Sequence, residues 1–241
     1  MSERSERRPP DRARASEPSG DGAWGRSPQN VSGVSERGER RPPDRASRGR
    51  GLPDRLRLPL RFDADAIRAD VEALAPTAWV PHFNTGVYDG DWSGVALRAV
   101  GGSTSLYPDP AAPEPFADTD LLRACPHVQQ ALARLACPLL GARLMRLSPG
   151  AVIAEHRDYR LGFGDGEVRL HVPIMTSQFV SFVLDGEPVV MAEGECWYLD
   201  LNLPHGARNE GAAPRIHLVI DCTVNEWLTD LLVGSLTAIE A

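Results

Sequence analysis

The stretch that decides the fold alternates apolar and polar side chains: Val168-Arg169-Leu170-His171-Val172-Pro173-Ile174. Successive side chains of a β-strand point to opposite faces, so this alternation predicts a strand with one apolar and one polar face. The apolar face begins at Val168 and belongs to the core. Arg169 and His171 share the other face, which is turned either toward water or toward a polar cavity.

Further short apolar segments lie on both sides of this strand. They are separated by turn signals, Asp165-Gly166, Asp185-Gly186 and Glu193-Gly194, without long helical patterns between them. Many short strands, about eight after residue 143, predict a mainly β fold: a double-stranded β-helix, or cupin-like jelly roll. The predicted strands are 95–100, 143–148, 151–157, 168–175, 178–184, 187–191, 195–201 and 214–223, with another that begins at His205.

Helical patterns before and after these strands predict flanking α-helices. Asp63 has the side chain of a helix N-cap, apolar residues recur at helical spacing after it, and Pro76 ends the pattern. A second helical segment covers residues 119–135 and is broken near Pro126. A third covers residues 225–239, and we expect it to pack on an outer face of a sheet.

Residues 1–55 differ in composition from the rest of the chain. They carry 13 Arg and 9 acidic residues, a net charge of +4, whereas residues 56–241 carry 13 Arg and 24 acidic residues, a net charge of −11 within the total of −7. The first segment has scarcely any aliphatic side chain, and its residues 2–13 recur at 35–46 with one change. It cannot bury enough apolar surface to offset the entropy lost on ordering. We therefore expect a disordered tail at 1–55 and one folded domain at 56–241.

The composition also bears on partners and location. An Arg-rich arm could bind phosphates, but acidic residues interleave with its arginines, so we expect no nucleic-acid partner. No stretch approaches the roughly 18 apolar residues of a membrane span, and the Arg-rich start lacks the apolar core of a signal peptide. We expect no membrane partner and a cytoplasmic location. The sequence does not decide the oligomeric state.

Residue types that are missing exclude several kinds of chemistry. The chain has no lysine, which excludes a Walker-type phosphate loop and a Schiff base to a carbonyl substrate. No two cysteines form a Cys-x-x-Cys pair, which excludes a zinc ribbon or a thioredoxin-like site. The four cysteines are Cys125, Cys137, Cys196 and Cys222.

One spacing indicates a metal site: His156-Arg157-Asp158 is followed by His205 and then by Arg215. Two imidazoles and one carboxylate can form a three-ligand facial site, which leaves open positions and is typical of non-haem Fe(II) oxygen chemistry. In an extended segment His156 and Asp158 project to the same side, while Arg157 points away. Taken alone, that pair also fits a surface strand with solvated side chains.

Arg215 adds a cation that suits the same chemistry. Fe(II) with three protein ligands keeps positions for a bidentate 2-oxo acid and dioxygen, and the distal carboxylate of that acid requires a cation several ångströms away. Arg208 is the alternative, but it lies in a turn-like stretch. On the strand at 214–223, Arg215 shares a face with His217, Val219 and Asp221. That face, like the polar face of 168–174, is either solvated or lines the mouth of the barrel.

Taken together, these blocks resemble the aspartyl/asparaginyl β-hydroxylase family of Fe(II)/2-oxoglutarate dioxygenases, which includes bacterial proline hydroxylases. The resemblance runs from about Trp79 to Trp227. The blocks that carry it are Pro149-Gly150, His156-Arg157-Asp158, Arg169-Leu170-His171-Val172-Pro173-Ile174, Gly194-Glu195-Cys196-Trp197-Tyr198-Leu199-Asp200, Pro204-His205 and Arg215-Ile216-His217-Leu218-Val219-Ile220-Asp221. An earlier block matches more weakly and is either on the substrate side or structural: His82, Asn84, Tyr88 and Trp92.

The resemblance implies a role for six residues. His156, Asp158 and His205 would be the iron ligands, although some family members have Gly in place of the aspartate. Arg215 would bind the C5 carboxylate of 2-oxoglutarate, and His171 would lie near its C1 carboxylate. Arg169 would contact a carboxylate of the substrate.

The implied activity is hydroxylation of a C–H bond in an amino acid or in a peptidyl Asp or Asn residue. It would consume 2-oxoglutarate and O2 at Fe(II) and release succinate and CO2. The expected partner is therefore a small-molecule amino acid or a peptide. The alternatives are a cupin-like metal protein without oxygenase activity and a small-molecule-binding module.

Overall fold

The computed structural model describes residues 52–106 and 114–237. The predicted tail lies outside the described residues up to residue 51, and so do the last residues of the predicted C-terminal helix. Four α-helices occur in the described part of the chain: α1 (Ala64–Ala73), α2 (Asp120–Arg123), α3 (Pro126–Leu132) and α4 (Glu226–Thr237). Its strands are β1 (Arg55–Arg61), β2 (Val80–Pro81), β3 (Tyr88–Asp89), β4 (Trp92–Val100), β5 (Phe116–Asp118), β6 (Leu139–Leu147), β7 (Val152–His156), β8 (Glu167–Met175), β9 (Val180–Leu184), β10 (Glu187–Pro188), β11 (Glu195–Leu199), β12 (His205–Asn209) and β13 (Arg215–Thr223).

These strands form two antiparallel sheets. The larger has eight strands in the order β1-β11-β8-β13-β6-β4-β2, with β5 paired to β4, and the smaller has five in the order β10-β9-β12-β7-β3. Apolar side chains from the two sheets share one buried cluster, in which Leu147 and Leu199 of the larger sheet meet Ile153 and Phe182 of the smaller. The sheets therefore face each other, and the predicted jelly roll with flanking helices is confirmed.

A second and larger core lies on the opposite face of the eight-stranded sheet. Val168 and the alternate residues after it on β8 belong to this core, together with Ile67 of α1, Val128 of α3 and Leu228 of α4. The apolar face of β8 thus packs against the helices. Its polar face is turned into the space between the sheets, where His171 is only 7% exposed. Of the two possibilities for that face, the cavity is the one found.

Element boundaries agree with the sequence pattern at most places. Asp63 caps α1 by accepting a hydrogen bond from Ala66 N, and the predicted break near Pro126 separates α2 from α3. The strand β1 had no counterpart in the sequence analysis, although its sequence RLRLPLR alternates and pairs with β11. The strand predicted at 151–157 corresponds to β7, which is shorter and ends at His156.

Asp70 ties α1 to α3. Its side chain is buried, and its Oδ2 accepts hydrogen bonds from the backbone N–H groups of His127 and Val128 at 2.8 and 2.9 Å. Its Oδ1 lies 2.8 Å from His127 Nδ1. The first N–H groups of a helix have no partner within the helix, so this carboxylate supplies acceptors that α3 otherwise lacks.

Replacement of Asp70 by Ala should lower the free energy of unfolding by about 1–3 kcal/mol, because it leaves buried N–H groups without acceptors. Urea denaturation followed by circular dichroism measures this change. Asp65→Ala is the matched control: it lies on the same helix with its side chain 88% exposed, and it should change stability by less than about 0.5 kcal/mol. Equal losses for the two variants would contradict the assigned role of Asp70.

Candidate metal centre

A cavity of about 530 Å³ opens between the two sheets. Strands of both sheets contribute side chains to its wall, and so does the segment from His82 to Trp92. Each of the six residues singled out by the sequence analysis lines this cavity: His156, Asp158, Arg169, His171, His205 and Arg215. Arg208 does not: it is exposed and forms an ion pair with Glu210.

The pairing of β7 with β12 brings the two histidines together. His156 is the last residue of β7, His205 is the first residue of β12, and the two are partners in the antiparallel register. Their ring centroids lie 4.3 Å apart. The register therefore places two imidazoles side by side at one end of the smaller sheet.

Asp158 reaches the histidines from a loop rather than from a strand. It lies two residues beyond the end of β7, and its backbone N–H donates to Leu201 O at 2.9 Å. One ligand atom from each of His156, Asp158 and His205 lies within 4.8 Å of those of the other two. This spacing can hold a metal ion. The sequence analysis expected His156 and Asp158 to project together from an extended segment, whereas β7 ends at His156 and Asp158 lies in the loop that follows.

Both imidazoles present a free nitrogen to the centre of this group. Nδ1 of His156 lies 2.9 Å from Ala154 O and Nδ1 of His205 lies 3.0 Å from Leu203 O. A carbonyl only accepts hydrogen bonds, so each Nδ1 carries a proton, and in a neutral imidazole of this tautomer Nε2 keeps its lone pair. Burial and the neighbouring His156 lower the pKa of His205 to about 4. His205 is therefore neutral near pH 7, as a metal ligand must be.

The carboxylate of Asp158 belongs to a chain of alternating charges. Its Oδ2 accepts from Arg169 Nη1 at 2.5 Å. Arg169 donates two further hydrogen bonds to Asp221, from Nε at 2.6 Å and from Nη2 at 3.1 Å, and Arg143 Nη2 lies 2.9 Å from Asp221 Oδ2. Burial alone would raise the pKa of Asp221, but the two guanidinium groups hold it well below its usual range.

Arg215 is buried at the start of β13 without an acidic partner among the described residues. It is 4% exposed, its Nη2 donates to His217 Nδ1 at 3.0 Å, and its Nε has no hydrogen-bond partner. Burial lowers its pKa to about 9, so it remains a cation near pH 7. Nε2 of His171 is likewise buried and unpartnered. Such a site has the positive charge and, at Arg215 Nε, the open donor that an anion requires.

Part of the cavity wall was not predicted from the sequence. Arg143 and Arg157 both line the cavity, although Arg157 was predicted to point away; it donates to Asn202 O from the loop that carries Asp158. Alternation along β6 could have indicated Arg143. His82 and Trp92 also line the cavity, and their rings stack at 3.6 Å with an angle of 10° between their planes. Phe83, beside them, is 67% exposed.

The histidines around this cavity make stability depend on pH. Burial is the main cause that lowers the pKa of His82 and His205 to about 4, and it lowers those of His171 and His217 well below the ordinary value. An unfolded chain takes up these protons as the pH falls through about 6.5, whereas the folded protein does not. Acid therefore favours unfolding in this range.

We expect the free energy of unfolding of the metal-free protein to decrease from about pH 7 to about pH 5, and His82→Gln to make that decrease smaller. Urea unfolding at several pH values measures both slopes. The carboxylate of Asp221 does not contribute in this window, since it titrates at about pH 3.9 when unfolded. Identical slopes for the variant and the parent would contradict the assignment for His82.

The fold and the site define a class: an antiparallel jelly roll that carries two histidines and an aspartate, placed to hold a metal ion, inside the barrel. The chain belongs to the aspartyl/asparaginyl β-hydroxylase family, whose sequence model matches residues 61–224. The resemblance found in the sequence is therefore confirmed. No helix in residues 52–106 and 114–237 has the length and apolar character needed to span a bilayer.

The individual proteins that the chain resembles have sequence identities of 28% or less to it. L-proline cis-4-hydroxylase of Rhizobium meliloti (strain 1021) is 28% identical over 167 residues, which are 67% of this chain and 58% of that protein. The chain thus spans somewhat more than half the length of this relative. A 2OG-Fe(II) oxygenase family oxidoreductase from Burkholderia pseudomallei superposes over 67% of this chain and 81% of its own, with 16% identity and a TM-score of 0.47. A cupin 2 conserved barrel domain protein from Salinispora arenicola covers 61% of this chain and 86% of its own, with 14% identity and a TM-score of 0.31.

Proposed function

We propose that this protein is an Fe(II)- and 2-oxoglutarate-dependent hydroxylase that acts on a C–H bond of an amino acid. One observation carries the proposal: His156, Asp158 and His205 converge within 4.8 Å in the same cavity as Arg215, a buried cation without an acidic partner among the described residues. Membership of the hydroxylase family supports it.

The donor set fits Fe(II). Two neutral imidazole nitrogens and one carboxylate oxygen form the facial arrangement that non-haem iron oxygenases use, and they leave coordination positions open. Iron with 2-oxoglutarate and O2 would supply the oxidising chemistry at the C–H bond, with release of succinate and CO2. The side chains of the protein would bind and orient 2-oxoglutarate and the substrate and would exclude water.

Arg215 and His171 are the residues proposed to hold 2-oxoglutarate. The guanidinium of Arg215 would bind the C5 carboxylate, since its Nε is buried without a hydrogen-bond partner. His171 would meet the C1 carboxylate with the proton on Nε2. Both side chains are fully buried, so their hydrogen bonds to an anion would form where water does not compete.

The substrate is proposed to occupy the space between the Arg169 side of the cavity and the His82–Trp92 wall. Arg169 would contact a carboxylate of the substrate, and Arg143 and Arg157 add positive charge to the same cavity. Three guanidinium groups favour an anionic group such as the carboxylate of an amino acid. We propose a free amino acid such as proline as the substrate, and a peptidyl Asp or Asn residue is the alternative that the assay below must include.

The activity is tested by incubation of the Fe(II)-loaded protein with 2-oxoglutarate, O2 and a panel of free amino acids and short Asp- or Asn-containing peptides. We expect succinate to form in step with a product that has gained one oxygen atom. Asp158→Ala and His205→Ala should abolish both. Arg208→Gln is the control, because Arg208 is exposed and lies outside the cavity, and it should retain parental turnover. Parental turnover in Asp158→Ala/His205→Ala would refute the proposal.

Arg215→Met should weaken 2-oxoglutarate binding at least about 30-fold, since loss of a buried charged partner costs about 2 kcal/mol or more. Isothermal titration of 2-oxoglutarate into the Mn(II)-loaded protein measures the change. The stability of the metal-free variant should equal or exceed that of the parent, because methionine removes an uncompensated buried cation. Unchanged affinity in a folded variant would exclude Arg215 as the 2-oxoglutarate ligand.

A further inference from the structure

The guanidinium of Arg169 lies between two carboxylates. Its Nη1 donates to Asp158 Oδ2 at 2.5 Å, while its Nε and Nη2 donate to the two oxygens of Asp221 at 2.6 and 3.1 Å. The side chain of Arg169 is 13% exposed and that of Asp221 is 10% exposed. Solvent therefore screens these charge-assisted hydrogen bonds only weakly.

We propose that Arg169 is a positioning residue for Asp158, in addition to any contact it makes with a substrate. This inference rests on the metal site proposed above. Arg169 engages Oδ2 of Asp158, and Oδ1 is the oxygen that lies 3.8 Å from His156 Nε2. The arginine thus selects which carboxylate oxygen faces the histidines and favours a ligand that binds through one oxygen.

Asp158 requires such support because the strand does not provide it. The residue lies in the loop after β7, where the hydrogen bond from its N–H to Leu201 O fixes the main chain but not the carboxylate. Its side chain is 31% exposed. Without the arginine, the carboxylate could rotate away from the histidines, and metal binding would have to restore its orientation at a cost in free energy.

Arg169 is itself held in place by the larger sheet. It pairs in register with Asp221 across β8 and β13, and the two-pronged contact fixes the plane of the guanidinium. Arg143, from β6 on the other side of β13, holds the same carboxylate at 2.9 Å. Three neighbouring strands therefore position one loop carboxylate. The negative charge of Asp221 also offsets the positive charge of Arg169. This reduces the repulsion between the arginine and a metal cation.

A role limited to the substrate and a positioning role make different predictions for metal binding. If Arg169 only contacts a substrate carboxylate, its loss should not change metal affinity when no substrate is present. If it orients Asp158, its loss should weaken metal binding in the absence of both substrate and 2-oxoglutarate. Loss of a residue that orients a metal ligand typically costs about 10–100-fold in affinity.

The experiment is a titration of the metal-free, full-length protein with Mn(II), in which electron paramagnetic resonance measures free Mn(II). We expect Arg169→Gln to raise the Kd by about 10–100-fold. Arg169→Lys should recover part of that loss, since an ammonium can still donate to Asp158, and Asp221→Asn should also weaken binding. Arg68→Gln is the control: Arg68 likewise contacts two carboxylates, those of Asp65 and Glu193, but outside the cavity, so the parental Kd should be kept.

Parental or tighter Mn(II) binding by Arg169→Gln would overturn the positioning role. Circular dichroism shows whether that variant folds; if it does not, Arg169→Lys and Asp221→Asn carry the test, and parental Kd values for both would overturn the inference. Asp158→Ala separates this result from a failure of the proposed function. Parental Mn(II) affinity in Asp158→Ala would mean that the metal site itself is wrong, whereas weak binding there with an unchanged Arg169→Gln would reject the positioning role alone.

Discussion

The antiparallel pairing of β7 with β12 is the constraint on which the candidate centre depends. In this register the last residue of one strand, His156, stands opposite the first residue of the other, His205. A shift by one residue would turn every side chain of a strand to the opposite face and separate the two imidazoles. Gly206 makes the close pairing possible, since a Cβ at this position would lie 2.9 Å from Ile153 O. The chain thus places the two candidate metal-ligating histidines at one pair of opposed residues in the β-ladder.

Buried charged groups in the barrel stabilise one another. Three strands of the larger sheet turn Arg143, Arg169 and Asp221 inward, and each isolated charge would be costly to bury. Their mutual hydrogen bonds compensate much of that cost, and Asp221 stays ionised as a result. Arg215 lacks such compensation among the described residues, which distinguishes it from the other inward cations.

Local alternation was sufficient to predict the β fold and the polar face of β8. The pattern of β8 assigned Val168 to the core and placed Arg169 and His171 together on the opposite, polar face, because a strand has a period of two whatever its partners are. The strand β1 was missed since its alternate arginines and its proline resemble the Arg- and Pro-rich segment before it.

Contacts between residues far apart in the sequence could not be predicted from local patterns. The bridge from Asp158 through Arg169 to Asp221 depends on the pairing of β8 with β13 and on the path of a loop, and neither has a local signal. Likewise, alternation predicted that Arg157 points away, but Arg157 lies in the loop that follows β7 and lines the cavity.

The eight-stranded sheet separates two kinds of surface. Its outer face, with the helices, contains the larger apolar cluster, whereas its inner face carries the charged and aromatic lining. Most of the hydrophobic stabilisation is therefore independent of the side chains that would meet a substrate. Substitutions in the lining can accumulate without removing the packing that keeps the barrel folded. An architecture of this kind lets related proteins diverge in what they recognise while they keep one scaffold, because selection for stability and selection for specificity act on opposite sides of the same sheet.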